Sequence, residues 1–137
     1  DFNSAYTHGF ARVAACTTQV RVADPTANLP GIVEAVRQAH AEAAAIAVFP
    51  ELCVSGYAID DLLLQDALLG ATLEALSQLA DATKGLLPVV VVGAPIAVAN
   101  RVYNCAVVIH YGCILGVVPK SYLPGHREFY ERRHFGP

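Results

Sequence analysis

Three runs rich in β-branched and small apolar residues, at 89–92, 102–110 and 113–118, follow one another and are joined by turns near Asn100 and at Tyr111-Gly112. Turns of that kind close hairpins, so the runs are expected to pair as neighbours in one sheet. The upstream half has a different period. Residues 12–18 and 45–49 read as short strands, the second stopped by Pro50. Between them Ile32, Val33, Val36 and Ala39 recur at the three-to-four spacing of an amphipathic helix, with Glu34, Arg37, Gln38 and Glu42 largely off the stripe. A turn punctuated by proline and asparagine is expected over residues 24–30. A second helical stretch opens at Asp60 or Asp61, either able to cap it, is interrupted at Gly70, resumes through Leu73, Leu76, Leu79 and Ala80, and closes at Gly85. The order β-α-β-α-α-β-β-β predicts an α/β fold, a mixed sheet with helices packed on it.

The chain has 137 residues, enough for one domain with a modest core and too few for two large ones. It is 55% hydrophobic and only 15% charged, the opposite of a disordered composition. A net charge of -3 gives no electrostatic footprint for nucleic acid or an anionic membrane, so neither is an expected partner. The longest apolar stretch, residues 85–99, is broken by Pro88, Gly93 and Pro95 and falls short of the roughly 20 residues a membrane span needs. The opening residues carry no apolar core of a secretory signal, and a cytoplasmic location is expected. The absent initiator Met suggests a processed or trimmed start, and the run from Arg132 to Pro137 offers no closing element, as if the fold were cut part-way. Cys16, Cys53, Cys105 and Cys113 lack the spacing of a zinc site or a disulfide framework, and their apolar neighbours make them small buried hydrophobes.

Chemistry concentrates at the ends of expected strands, where a sheet presents polar groups to a shared cleft. Glu51 is the first polar residue after the apolar run ending in Phe49-Pro50. Partly desolvated there, a carboxylate suits general acid or base work, whereas left in water it is an ordinary loop charge. Lys120 stands after Val117-Val118-Pro119 by the same device and is either a solvated ammonium or a donor to a developing oxyanion. The segment from His126 to Arg133 alternates charge and aromatic residues. Glu128 and Glu131 can pair with Arg132 and Arg133 on a solvated edge, or the segment can be a recognition loop.

Taken together these residues resemble the nitrilase superfamily of carbon–nitrogen hydrolases, whose Glu-Lys-Cys triad sets a Glu after a Phe-Pro-Glu strand and a Lys at a later strand end. Gly56-Tyr57 followed by Asp60-Asp61-Leu62-Leu63, then the stretch from Tyr103-Asn104-Cys105 through Lys120, Tyr122-Leu123-Pro124 and Phe129-Tyr130-Glu131-Arg132-Arg133-His134-Phe135, look like the glutaminase domains of glutamine-dependent NAD+ synthetases. The likeness covers nearly the whole chain. It implies a nitrilase-like α-β-β-α sandwich, of which residues 1–137 are an incomplete N-terminal portion. It implies that Glu51 is the general base, that Lys120 holds the oxyanion, and that Tyr57 and Glu131 line the glutamine pocket, with Glu128 a rival for Glu131.

The likeness also implies partners. Glutamine would be the substrate, and its ammonia would pass to a C-terminal synthetase domain of the same polypeptide that uses ATP and Mg to amidate nicotinic acid adenine dinucleotide. No metal and no cofactor is assigned to residues 1–137, which contain no Ser-Gly-Gly pyrophosphate loop and no Gly-x-x-x-x-Gly-Lys loop. A homo-oligomer is expected. The sequence departs from the pattern at His126, where similar synthetases commonly carry Tyr, and the family's nucleophilic cysteine falls beyond Lys120, outside this sequence. A free-standing amidase or carbamoylase, and a non-catalytic assembly module, are the alternative readings.

Overall fold

A computed structural model describes residues 1–123 and 134–136. Strands β1 (Val13–Ala15), β2 (Ile46–Val48), β3 (Val89–Val98), β4 (Arg101–His110) and β5 (Cys113–Pro119) form a five-stranded sheet in the order β1-β2-β3-β4-β5. The first three run parallel and the last two antiparallel to their neighbours, so β5 points the same way as β2. Helices α1 (Pro25–Ala41) and α2 (Asp66–Ala82) are the crossovers of the parallel strands and pack on one face. Among the described residues no helix is long and apolar enough to cross a membrane.

The core between helices and sheet follows from the two periods. Ile32, Val36 and Ala39 from α1 and Ala75, Leu76, Leu79 and Ala80 from α2 meet Ala47, Val90, Val92, Ala94, Val107 and Ile109, every second residue of the strands. Each large apolar side chain so buried contributes roughly 1.5–3 kcal/mol. The alternate residues, Val13, Ala15, Ile46, Val48, Val91, Ala106, Val108 and Val118, face away from the helices. Val13, Val48 and Val118 on that second face are 57%, 40% and 58% exposed.

The expected turn over residues 24–30 is instead the start of α1. Asp24 caps the helix by accepting from Ala27 N at 3.0 Å, and Pro25 takes the first helical position, where a missing N–H costs nothing. Buried Asn28 fixes this end: its side chain accepts from Arg21 N (2.6 Å) and donates to the carbonyls of Arg21 (2.8 Å) and Val54 (2.9 Å). Pro30 therefore lies inside the helix, on its exposed side, where water can take the carbonyl it leaves unbonded.

The second helical stretch also breaks elsewhere than expected. Asp60–Leu64 form a 3-10 turn whose N-cap is Ile59, the chain extends at Gln65, and α2 then runs unbroken through Gly70. Strand β1 is shorter than expected and β3 longer, continuing through Gly93 and Pro95. Asn104, opposite Pro95, turns its carbonyl towards β5, where it accepts from Lys120 N at 2.8 Å. The Pro95 nitrogen consequently points away from β4, past the end of β2, and no ladder bond is lost. Both hairpins close through two left-handed residues, Ala99 and Asn100 with φ 47° and 64°, then Tyr111 and Gly112 with φ 48° and 80°.

Candidate active site

Glu51 leaves β2 and Lys120 leaves β5 on the same rim of the sheet, yet two strands separate them, a span of roughly 14 Å at 4.7–4.9 Å per strand. The segment after β2 closes this distance by folding across its neighbour. Val54 N donates to Gly93 O at 3.1 Å and Cys53 N to Pro50 O at 3.3 Å, so the turn lies on β3. Only glycine permits this seat: a Cβ at Gly93 would stand 2.2 Å from Leu52 N and 2.8 Å from both Glu51 C and Pro50 O. Leu52 adopts a left-handed φ of 51°, uncommon for a branched side chain, and is held there by burial among Ile59, Leu68, Leu69, Val102, Leu123 and Phe135. Ala23 N donates to Ser55 O at 2.8 Å, and the Asn28 bond to Val54 O ties the same turn to the head of α1.

Glu51 thus reaches the face of the sheet opposite the helices. There Lys120 Nζ donates to Glu51 Oε1 at 2.7 Å, and Asn104 Nδ2 donates to the same oxygen at 2.5 Å. The lysine and glutamate side chains are 33% and 42% exposed, so their ion pair is half in water and worth at most about 1 kcal/mol to stability. Asn104 is buried, and its backbone carbonyl is the one that accepts from Lys120 N. The sequence patterns single out Glu51 and Lys120, and the structure brings them into contact. They do not single out Asn104, although a polar amide inside an otherwise apolar strand is a signal, because asparagine is depleted there and must find a partner.

Tyr57 lies on the loop that continues from the Glu51 turn and is 43% exposed. His126, Glu128 and Glu131 lie outside the described residues. His134 Nε2 stands 3.1 Å from Asp61 Oδ1, and Gly136 N donates to Val102 O at 2.8 Å, so residues 134–136 run beside the start of β4 and the 3-10 turn.

Residues 12–137 match the family described as carbon-nitrogen hydrolase. The chain belongs to the carbon–nitrogen hydrolase family. Within that family it is similar to a glutamine-dependent NAD(+) synthetase of Mycobacterium bovis, at 57% identity over 100% of this chain and 20% of the relative. It therefore spans about a fifth of the length of the curated relative it matches. The solved structure of a glutamine-dependent NAD(+) synthetase from Cytophaga hutchinsonii superposes with a TM-score of 0.86 at 27% identity, over 92% of this chain and 21% of that one. An amidase from Nesterenkonia sp., of the nitrilase superfamily, superposes with a TM-score of 0.75 at 23% identity, over 93% of this chain and 48% of that one, and shares the fold.

In this carbon–nitrogen hydrolase chain Glu51, Asn104 and Lys120 are in contact at a strand rim, and the four cysteines are free. Cys53 and Cys105 are buried as expected, Cys16 is partly so, and Cys113 is exposed. The exposure of Cys113 departs from the sequence expectation because the residue opens β5 directly after the tight Tyr111-Gly112 turn, at the margin of the sheet. Desolvation pushes the Cys53 thiol up from 9.0 to about 11 and raises Cys16 and Cys105 as well. A nucleophilic thiol needs the opposite shift or an adjacent base.

Proposed function

We propose that residues 1–137 supply the general base and the oxyanion donor of a glutamine-hydrolysing site, Glu51 and Lys120 respectively. The observation that carries this reading is the 2.7 Å contact between Lys120 Nζ and Glu51 Oε1 in a carbon–nitrogen hydrolase chain. The similarity to synthetases named for their use of glutamine supports glutamine as the amide.

The thiol would come from a cysteine outside this sequence. Glu51 takes the thiol proton as sulfur attacks the amide carbon, and Lys120 hydrogen-bonds the oxygen as it becomes an anion. Collapse of that intermediate returns the proton from Glu51 to the leaving nitrogen and releases ammonia, leaving a thioester. Water then attacks with Glu51 again as base, and the proton passes to the departing sulfur as glutamate leaves. Tyr57 and Glu131 would line the pocket, a carboxylate there pairing with the substrate ammonium. In the whole polypeptide the ammonia would serve a synthetase domain that consumes ATP with Mg to convert nicotinic acid adenine dinucleotide to NAD+.

Glu51→Gln in the full-length protein tests the reading. The amide keeps the shape and loses the basicity, so glutamine-driven turnover should fall by roughly 10² to 10⁴ while turnover supplied with free ammonia survives. Lys120→Ala should give the same split through loss of the oxyanion donor. If Glu51→Gln lowers both activities equally the residue is structural, and if it lowers neither it is not the base.

A further inference from the structure

We propose that Asn104 is a positioning residue for Glu51, fixing which carboxylate oxygen is presented for proton transfer. The inference rests on Glu51 acting as the base. Asn104 is 3% exposed in the middle of β4, on the face that carries Glu51 and Lys120. A buried amide left without partners costs about 1–3 kcal/mol, so this position retains an asparagine only where something accepts from it. The acceptor is Glu51 Oε1, 2.5 Å from Nδ2. The amide cannot be turned round, since Oδ1 in place of Nδ2 would set two acceptors against each other.

Lys120 Nζ and Asn104 Nδ2 converge on the same oxygen, and in this proposal proton transfer falls to the other, Oε2. The two donors differ in kind. Lys120 is a flexible ammonium that the reading assigns to the oxyanion, and on swinging to it would release Glu51. Asn104 has only two side-chain torsions, is packed in a strand, and holds Oε1 throughout. Its carbonyl also accepts from Lys120 N, so one residue sets the registration of base and oxyanion donor. A displacement of a catalytic group by about 1 Å can cost 10² in rate.

The test is a cycle of variants in the full-length protein, with glutamine-driven and ammonia-driven turnover measured on each. Asn104→Ala and Asn104→Ser both remove the amide Nδ2 that reaches Glu51, the second leaving a shorter hydroxyl on Cβ that keeps the position polar but falls short of Oε1. Each should lower glutamine-driven kcat by about 10- to 100-fold with little change in the glutamine KM, and leave ammonia-driven turnover near that of the parent. Added to Glu51→Gln, neither should lower glutamine-driven turnover further, because Asn104 acts through the group already removed. Losses that multiply in the double variants, or that fall equally on both activities in both single variants, overturn the proposal and make Asn104 structural. A Glu51→Gln protein with undiminished glutamine turnover refutes the base assignment itself. A damaging Glu51→Gln beside a harmless Asn104→Ala refutes the positioning role alone.

Discussion

Burial pushes the Cys53 thiol to about 11, two residues from the carboxylate that the proposed chemistry uses as a base. At pH 8 such a group holds about a hundredfold less thiolate than an ordinary cysteine of pKa 9.0. Alkylation of the native protein by iodoacetamide at pH 8, read by mass spectrometry, should leave Cys53 unmodified until the protein unfolds. Rapid labelling of Cys53 in the folded state would contradict its burial. The same shift has a stability consequence with a definite sign. Below pH 9 the thiol is protonated whether the chain is folded or not, and its contribution is intact. Between pH 9 and about 11 the unfolded chain gives up the proton first, so stability falls as pH rises, by on the order of 2 kcal/mol across that window. Glu51 and Lys120 were legible because each is the first charged residue after an apolar strand ended by proline. Asn104 was not, since its contact with Glu51 depends on the register that lays β4 beside β5 and under the Glu51 turn.

At the scale of elements, two glycines flanked by apolar residues in the sequence, one buried and one exposed, call for opposite outcomes. Gly93 supports the Glu51 turn, and a Cβ there meets backbone atoms that no rotamer change can move aside. Gly93→Ala should therefore cost about 1–3 kcal/mol in chemical denaturation and lower glutamine-driven more than ammonia-driven turnover, because the turn carrying Glu51 must lift off β3. A Gly93→Ala protein as stable and active as its parent would mean that the turn is not seated there. Gly70 lies in α2 with nothing within 4 Å of its would-be Cβ, so Gly70→Ala should stabilise by about 0.5–1 kcal/mol. The helix and strand periods made the order of elements readable, and Gly70 was misread as a break because sequence shows only its propensity. The α2 stripe from Leu68 to Ala80 packs on the sheet and overrides that propensity. Residues 24–30 were misread for a related reason. An Asp followed by Pro opens either a turn or a helix, and the helix is held by Asn28 bonding to Arg21 and to Val54, the latter 26 residues away in sequence.

At the scale of the whole molecule, the helices cover one face of the sheet while the other continues as apolar surface from Val13 through Val48 to Val118 and ends at Glu51, Asn104 and Lys120. Whatever layer covers that face in the intact protein also walls the site. The half-exposed ion pair would then lose water and strengthen, as charges in a lower dielectric do. Residues 1–137 expressed alone should bury the open face against other copies, since apolar surface of this kind favours association. Sedimentation velocity should show oligomers rather than monomers, and Val48→Lys, which places a charge on the exposed face, should shift the distribution towards monomer. The same preparation should release no glutamate from glutamine above background, because the proposed chemistry draws its thiol from a cysteine outside this sequence. A dilute monomer that unfolds cooperatively would show that the open face needs no cover. Glutamate release that scales with the purified chain would show that one of its own thiols serves as the nucleophile.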